Sequence, residues 1–515
     1  VLAWAEQQGD PALRDQASLM LASALYIEGR FGESLAWSMQ GLGQARSPDL
    51  RMRLLKTAAD ACTGLGRLRE ARRLYQEAMA LAEALGDPHY PVFLRHNQAV
   101  GVEIPAGRFE AARALLSANA PYYAERPAQQ ITHRMGWALL AVETGAWAEL
   151  EGILREIEAL AREVEEGQAS NDFWFWWCRA MGAIGQKRWD AAAQALARAG
   201  DLARGHPERV GALAQAQAWQ ARRQGQPEEA LRIAEQALPR LEGAPLARGL
   251  VALERDLAAW ALGRAESHPA VGALIAARAG AAFLRLRALR ALQAYAAGDP
   301  RWRRHLHAAL RQIRREDRLS AQDPELGTAF WLLCLQEGIH EAEAIRALGR
   351  LRPLAELGAL LRHPRENVRR VAAQALAATG EEAAMPLLQD ALRRERHPRV
   401  HQALTAALQA LESLPPPPLE IRLLGRFEVR RGGQLLPESV WPRPAVARLL
   451  QYFALHRRQW LSRERILEDL WPERDPENAE EIFRRLFSWL HQVLEPAMRS
   501  KGPFRYFASA GETLR

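Results

Sequence analysis

The sequence Gly29-Arg-Phe31-Gly-Glu-Ser34 recurs in altered form along the first half of the chain. Most copies have a glycine, then a bulky residue two positions later and a small residue three positions after that. The later copies are Gly66-Arg-Leu68-Arg-Glu-Ala71, Gly107-Arg-Phe109-Glu-Ala-Ala112, Gly145-Ala-Trp147, Lys187-Arg-Trp189-Asp-Ala-Ala192 and Gly225-Gln-Pro-Glu-Glu-Ala230. Their first positions are separated by 37, 41, 38, 42 and 38 residues.

A period of about 40 residues with two helices per unit predicts an α-solenoid. Glycine is expected to end the first helix of each pair, because it adopts the left-handed backbone conformation at low cost. The bulky residue is expected to start the second helix, and the small residue allows the paired helices to approach closely.

This motif resembles tetratricopeptide repeats in the longer form found in MalT-like regulators. The resemblance covers residues 1–345 and weakens after Gly263. A generic all-α repeat array without a particular ligand is the alternative. On the first interpretation the repeats are expected to bind a protein or a small-molecule effector.

A second repeat type follows the first. His363-Pro-Arg-Glu-Asn-Val368 is echoed by His397-Pro-Arg-Val400, and the two valines lie 32 residues apart. Residues 346–414 therefore resemble two short HEAT repeats. Residues 415–418 are four prolines, which fix φ and exclude a helix, so we predict a stiff linker and a domain boundary there.

The last segment, residues 419–515, has a different pattern. Leu419 to Val429 alternates like one strand, and Ser462 is a good N-cap for a helix that ends at Pro472. A second amphipathic helix is predicted from Ala479 to Leu494, followed by an aromatic strand at residues 505–507. This order predicts a winged helix-turn-helix, so the fold class is mostly α, with a C-terminal α+β domain.

The segment resembles the OmpR-like DNA-binding domain of bacterial SARP-type activators, which also carry a BTAD region. The resemblance rests on Leu423-Leu-Gly425-Arg-Phe-Glu-Val429, on Leu461-Ser-Arg-Glu-Arg465, and on Leu470-Trp471-Pro472. It implies double-stranded DNA as a partner, contact with RNA polymerase, and binding to direct repeats as a homodimer.

The candidate DNA-binding residues lie mainly on the second helix of this segment. Its apolar stripe is predicted to be Ile482, Leu486, Leu490 and Val493, with Phe483 and Phe487 beside it. The residues predicted to lie off the stripe and to reach bases or phosphates are Arg484, Arg485, Ser488, His491 and Gln492. Further candidates are Arg443 and Arg448 on the preceding helix, and Arg505 and Arg515 in a wing that turns near Ala510-Gly511.

The charge of the chain favours polyanionic partners only weakly. The formal net charge is +8 over 515 residues, and residues 419–515 carry 17 Lys or Arg against 13 Asp or Glu, a net of +4. The SARP family tends to be basic where this chain has Trp489 and His491. That departure favours the alternative function, a protein-interaction scaffold whose winged helix does not bind DNA.

The remaining composition excludes several classes of protein. Three widely separated cysteines have no metal-ligand or redox spacing, and no apolar run reaches the roughly 18 residues of a membrane span. Without a phosphate-loop motif or a catalytic constellation, we expect neither an enzyme nor a cofactor, and we expect a cytoplasmic protein. Residue 1 is Val within a helical pattern, so we expect a fragment of a longer chain, in which a nucleotide-switch domain could precede it.

One aromatic run, Asp172-Phe-Trp-Phe-Trp-Trp177-Cys178, has two interpretations. It is either a solenoid helix packed on both sides or an exposed aromatic patch for a peptide or an apolar ligand.

Overall fold

The structure is a computed structural model that describes residues 11–163, 172–203, 205–313, 317–497, 504–511 and 513–515. The helical pattern expected at residues 1–10 lies outside these residues. By their contacts the residues form two compact units, Val1–Phe330 and Trp331–Arg515. Among the described helices, none has both the length and the hydropathy that a membrane crossing requires.

The first unit consists of helices joined by short turns. In chain order they are α1 (Pro11–Ile27), α2 (Phe31–Gln44), α3 (Pro48–Gly64), α4 (Leu68–Ala84), α5 (Tyr90–Gln98), α6 (Phe109–Tyr123), α7 (Pro127–Thr144), α8 (Trp147–Glu163), α9 (Phe173–Gly185), α10 (Trp189–Ala203), α11 (Pro207–Arg223), α12 (Pro227–Ala237), α13 (Pro245–Ala261), α14 (Gly272–Ala277), α15 (Gly280–Ala296), α16 (Trp302–Ile313) and α17 (Arg318–Gln322). Helix α18 (Pro324–Gln336) contains the boundary between the units. A π-helical turn, Ala99–Glu103, continues α5.

The predicted turn residues adopt the left-handed conformation. Gly66 has φ +73°, and its N–H donates to the carbonyl of Thr63 while the N–H of Arg67 donates to Cys62. These two bonds satisfy carbonyls at the end of a helix that would otherwise lack partners. The same arrangement recurs at the other predicted positions, namely Gly29, Gly107, Gly145, Lys187 and Gly225. Lys187 does so at φ +59° despite its side chain.

The bulky residue of the motif starts the second helix of each of the first five pairs, as predicted. At Phe31 and Trp147 the side chain fills space that a glycine leaves open at the end of the following helix. A Cβ on Gly64 would lie 2.7 Å from the ring of Phe31, and one on Gly185 would lie 2.5 Å from the ring of Trp147. The repeat therefore needs a large residue and a small one at matching positions.

The turns continue beyond the point where the sequence motif weakens. Gly263, Gly298 and Gly338 also have positive φ and close helix ends with the same pair of hydrogen bonds. In these later copies other residue types occupy the bulky and small positions. The sequence motif is therefore hard to recognise, although the turn geometry is retained.

Segments of the first unit that are far apart in sequence meet at the turns. Gly280 donates its N–H to the carbonyl of Pro105 at 2.8 Å. A Cβ on Gly280 would lie 2.2 Å from the Cα of Gly107, so only two glycines allow this approach. Likewise, the side chain of Gln322 donates to the carbonyl of Glu143. These contacts join turns to helices roughly four repeats further along the chain.

A buried cluster of four charged residues ties α11, α13 and α15 to the residue between α17 and α18. Arg222 donates to both carboxylate oxygens of Asp323, at 3.0 and 2.6 Å. Arg285 donates to Glu254 at 2.5 Å and to Asp323 at 3.0 Å. Burial alone would raise the pKa of Asp323, but Arg222 and Arg285 outweigh it and hold that pKa at about 2.

We predict that Asp323→Asn destabilises the first unit by about 3–5 kcal/mol, because two buried guanidinium groups lose a shared carboxylate. Since the folded pKa of Asp323 lies below its unfolded value, this stabilisation is present at neutral pH and is lost as the pH falls toward about 2. Chemical denaturation measures the change. The control is Glu229→Gln, which removes an exposed pair with Arg232 and should leave the midpoint unchanged.

We also predict that Gly280→Ala destabilises the first unit by about 1–3 kcal/mol, because its methyl group would collide with the backbone of Gly107. Gly152→Ala is the matched control, since a Cβ there meets nothing within 4 Å inside α8. It should stabilise the protein by about 0.5–1 kcal/mol through helix propensity. Equal effects of the two substitutions on the unfolding free energy would contradict the proposed crossing.

The aromatic run at residues 172–178 packs within the solenoid, in agreement with the first interpretation. Asp172 caps α9 by accepting a hydrogen bond from the N–H of Trp174 at 2.7 Å. The side chains of Phe173, Phe175 and Trp177 are buried, and the indole of Trp177 donates to the carbonyl of Ala212 at 2.9 Å.

The second unit begins with short helices that end at the proline segment. They are α19 (Glu341–Leu351), α20 (Leu354–Leu360), α21 (Glu366–Ala378), α22 (Ala384–Arg394) and α23 (Pro398–Glu412). The two predicted His-Pro sequences precede α21 and α23, and Val368 and Val400 are buried between the helices.

The C-terminal module, residues 419–515, has two small antiparallel sheets and three α-helices. Its elements are β1 (Leu419–Arg422), β2 (Glu428–Arg431), β3 (Gln434–Leu435), α24 (Pro444–Leu455), β4 (Leu461–Ser462), α25 (Arg463–Leu470), α26 (Pro476–Leu494), β5 (Ser509–Ala510) and β6 (Thr513–Leu514). The sheets have the strand orders β1-β2-β3 and β4-β6-β5. A core that includes Val446, Phe453, Ile466, Phe483 and Leu490 joins them.

Three local predictions for this module need correction. Leu419 to Val429 is a hairpin and not one strand, because Gly425 turns the chain at φ +80°. Residues 505–507 form a turn, and the wing strands follow at residues 509–510 and 513–514. The buried stripe of α26 is Ala479, Phe483, Leu486, Leu490 and Leu494, with Ile482 and Val493 at its edges.

Candidate nucleic-acid interface

The exposed side of α26 carries four of the predicted DNA-binding residues. Asp475 caps the helix by accepting from the N–H of Asn478 at 3.2 Å, and Pro476 begins it. With one side of the helix buried in the module core, its exposed side chains include Arg484, Arg485, Ser488 and Gln492, together with Glu477, Asn478 and Glu481 nearer its start. Arg485, Ser488 and Gln492 follow one another at spacings of three and four residues, so they form one line along the helix.

Both arginines of α26 are paired with glutamates one turn earlier. Arg484 lies 3.2 Å from Glu480, and Arg485 lies 2.7 Å from Glu481. Arg463 of α25 also reaches Glu480, at 2.7 Å. Exposed pairs of this kind contribute little to stability, so an incoming phosphate could replace the glutamates at small cost.

Arg443 lies beside the same helix. Its guanidinium stands over the indole ring of Trp489, 5.1 Å from the ring centre. Trp489 therefore supplies a stacking surface at a position where a basic residue was expected from the resemblance. Arg448, one turn further along α24, is exposed.

His491 faces the interior of the module. Its ring stacks on Phe504 with ring centres 4.5 Å apart, and its Nε2 atom lies 3.3 Å from the carboxylate of Glu495. Burial lowers the pKa of His491, with Glu495 opposing and Arg505 adding to that shift. The structure thus separates His491 from the exposed line formed by Arg485, Ser488 and Gln492.

Arg505 is also occupied within the protein. It donates to Glu495 at 2.5 Å, to the carbonyl of Leu414 at 3.0 Å, and to Glu382 in the turn before α22. Glu382 also pairs with Arg431 of β2. Glu382 was not singled out in the sequence because its partners lie 49 and 123 residues away.

The ion pairs of Glu382 join the C-terminal module to the helices before the proline segment. The hydroxyl of Tyr506 donates to the carbonyl of Pro417, and the side chain of Gln389 donates to the carbonyl of Ala497 at 3.0 Å. In this structure the four prolines therefore lie beside a set of polar contacts between the two parts of the second unit.

Arg515 lies at the wing, with its guanidinium 5.1 Å from the ring centre of Trp460. Its backbone pairs with Ala508 in both directions, at 2.8 and 2.9 Å. Gly511 turns the wing at φ +60°, as predicted for Ala510-Gly511. Arg515 remains exposed, on a different element from the line on α26.

Charge is distributed unevenly within the module. Residues 419–462 hold eight Arg against three acids, whereas residues 463–494, which include α25 and α26, hold five Arg against eight acids. The net charge is therefore +5 in the first segment and −3 in the second. The excess positive charge of the module lies outside the helix that was expected to read DNA.

Comparison with known proteins identifies one repeat type. A family model for HEAT repeats matches residues 332–409, which confirms the predicted HEAT repeats and begins before the predicted boundary at residue 346. No curated protein matches the chain.

Similar solved structures have low TM-scores. The human IFIT1 dimer with PPP-AAAA has 14% identity over 73% of this chain and 89% of that chain, with a TM-score of 0.33. The APC/C hetero-tetramer Cut9-Hcn1 has 13% identity over 78% and 91%, with a TM-score of 0.33. The TPR domain of P58(IPK) has 12% identity over 77% of this chain and 98% of that chain, with a TM-score of 0.20.

The chain is a mostly helical repeat protein. The tetratricopeptide-like class of its first unit and the winged helix remain predictions.

We predict that Glu382→Gln loosens the C-terminal module from α21–α23, because Arg431 and Arg505 lose a shared carboxylate. Unfolding of the second unit should become easier by about 1–3 kcal/mol, and amide hydrogen exchange should quicken at residues 419–422. Glu381→Gln is the control, since Glu381 pairs only with Arg352 among the described residues. Equal exchange rates in the two variants would show that Glu382 does not hold the module.

Proposed function

We propose that the protein is a DNA-binding transcriptional regulator, namely an activator, whose repeats bind a protein or a small-molecule effector. The observation that carries the proposal is the exposed line Arg485, Ser488 and Gln492 on α26, with Arg484 beside it. The element order of the module supports the proposal, because three strands, a helix, a strand, two helices and a hairpin are the parts of an OmpR-like winged helix.

The chemistry of this line suits a major groove. Arginine can donate two hydrogen bonds to guanine, glutamine can pair with adenine, and serine can contact either base or phosphate. Arg443 and Arg448 on α24 are further candidates for phosphate contacts. His491 and Arg505 are engaged inside the protein, so they take no direct part in this proposal.

The remaining parts of the proposal follow the sequence resemblance. The regulator would act in the cytoplasm, bind direct repeats as a homodimer and contact RNA polymerase. We propose no catalytic activity and no cofactor for its DNA-binding module.

The affinity of the full chain for a duplex at low salt tests the proposal. We expect Arg485→Ala to weaken binding by about 1–3 kcal/mol if its contact is base-specific, and Arg484→Ala to weaken it similarly or less. Glu481→Gln should tighten binding, because it frees Arg485 and removes a charge that repels phosphate. Arg393→Ala is the matched control, since it removes an exposed arginine that pairs with Asp390 on α22. Unchanged affinity in both Arg484→Ala and Arg485→Ala would contradict the assignment.

A protein-interaction scaffold is the second candidate function. The specific observation in its favour is the net charge of −3 over residues 463–494, which opposes approach to a phosphate backbone. The two functions differ in salt dependence. Binding through phosphate contacts releases counterions from DNA, and because that release becomes less favourable as the salt concentration rises, the affinity falls steeply. A scaffold would show no such duplex affinity to lose.

A further inference from the structure

A solvent-open cleft in the first unit lies where distant repeats meet. It has a volume of about 700 Å³ and forms around the close approach of Gly107 to Gly280. Its walls come from the start of α6, from α14 and α15, from the end of α16 and from α17. Its size falls within the range of about 300–1,000 Å³ typical of small-molecule sites.

The lining of the cleft is strongly basic. Four arginines line it, and none of the described residues that line it is acidic. The arginines are Arg108, Arg278, Arg287 and Arg318. A cleft with charge of one sign concentrates ligands of the opposite charge.

Two of these arginines lack a carboxylate partner among the residues that the structure describes. Within the described part of the chain, Arg278 and Arg287 form no ion pair. The neighbouring Arg311 forms none with a described residue either. Burial lowers the pKa of Arg287, and Arg311 and Arg278 lower it further. Several other half-buried arginines of the unit do have such a partner, as Arg72 has in Glu103 and Arg134 has in Glu156. Arg108, for example, lies 2.6 Å from Glu103.

The structure holds Arg287 in a defined position despite this repulsion. Its guanidinium stacks over Phe283, 4.0 Å from the ring centre, and one nitrogen donates to the carbonyl of Ala308 at 3.2 Å. On the opposite wall, Arg318 stacks over Phe109 at 4.4 Å. Stacked guanidinium groups keep their donors in a fixed plane, which reduces the entropy lost when they bind an anion.

The backbone of Arg278 adopts an unfavourable conformation. It has φ +52°, a left-handed conformation that side chains other than glycine rarely adopt. Residues kept in such conformations cluster at ligand sites, where the surrounding structure enforces them. The bond from Gly280 to Pro105 fixes the chain two residues later.

We propose that this cleft binds a small molecule bearing several phosphate charges. Arginine forks match the geometry of phosphate oxygens, and a polyphosphate would neutralise the repulsion among Arg278, Arg287 and Arg311. The proposal deepens the effector role given above to the repeats and rests on it. Both nucleotides and free polyphosphates have this chemistry.

Calorimetric titration of the full chain with inorganic triphosphate, ATP, AMP and adenosine tests the proposal. We expect triphosphate and ATP to bind, AMP to bind more weakly, and adenosine not to bind. ATP binding more tightly than triphosphate would identify a nucleotide as the ligand, and equal affinities would identify the phosphate chain alone. Absence of binding by both triphosphate and ATP would overturn the proposal.

Substitutions locate the binding. Arg278→Gln and Arg287→Gln should each weaken triphosphate binding by about tenfold or more, the usual effect of losing a charged hydrogen bond. The Arg155→Gln variant, which changes an exposed arginine of α8 outside the cleft, should bind triphosphate like the parent protein.

Because Arg278 is exposed, the Arg278→Gln variant should fold normally. The rise in Tm that triphosphate causes should be smaller in this variant than in the parent protein. Parental affinity in both cleft variants would overturn the site. Arg484→Ala should bind triphosphate normally, which separates failure of this site from failure of DNA binding.

Discussion

Each helix pair of the first unit depends on one residue in the left-handed region of the backbone map. That residue reverses the chain within a few bonds, so that the next helix starts with the bulky residue. At Phe31 and Trp147 this side chain packs against a glycine at the end of the helix that follows. Where the turn at Gly107 meets Gly280, the same small residues also allow distant repeats to touch. The buried cluster of Arg222, Arg285, Glu254 and Asp323 and the basic cleft both lie in helices that these crossings bring together.

The sequence predicted the features that depend on local chemistry. Glycines at a regular spacing predicted the turns, Ser462 predicted a helix start, and repeated His-Pro sequences predicted two HEAT repeats. Lys187 followed from its place in the repeat, although lysine alone gives no reason to expect a left-handed turn. The hairpin at residues 419–431 was missed because alternation continues on both sides of Gly425, and only the fold shows that the chain reverses there.

Features that join distant residues could not be predicted from local patterns. Asp323 meets Arg222 from a position 101 residues away, and Glu382 meets Arg505 across 123 residues. For the same reason, sequence analysis predicted that His491 and Arg505 contact DNA. In the structure His491 contacts Phe504 and Glu495, and Arg505 contacts Glu495 and Glu382. Helical periodicity did identify the exposed positions of Arg484, Arg485, Ser488 and Gln492, because burial of the opposite side of α26 fixes their direction.

The proposed function requires α26, a helix with both basic and acidic side chains, to bind DNA, which is a polyanion. Because the acidic side chains oppose this binding, DNA binding by the protein must be measured directly. Selection of a random-sequence duplex pool on the full chain, at low and physiological salt, measures this most directly. The account predicts an enriched sequence motif whose retention falls steeply as salt rises, because specific contacts on α26 act together with phosphate contacts. Failure to retain any duplex at low salt would contradict it, and the protein would then act through partners of its repeats.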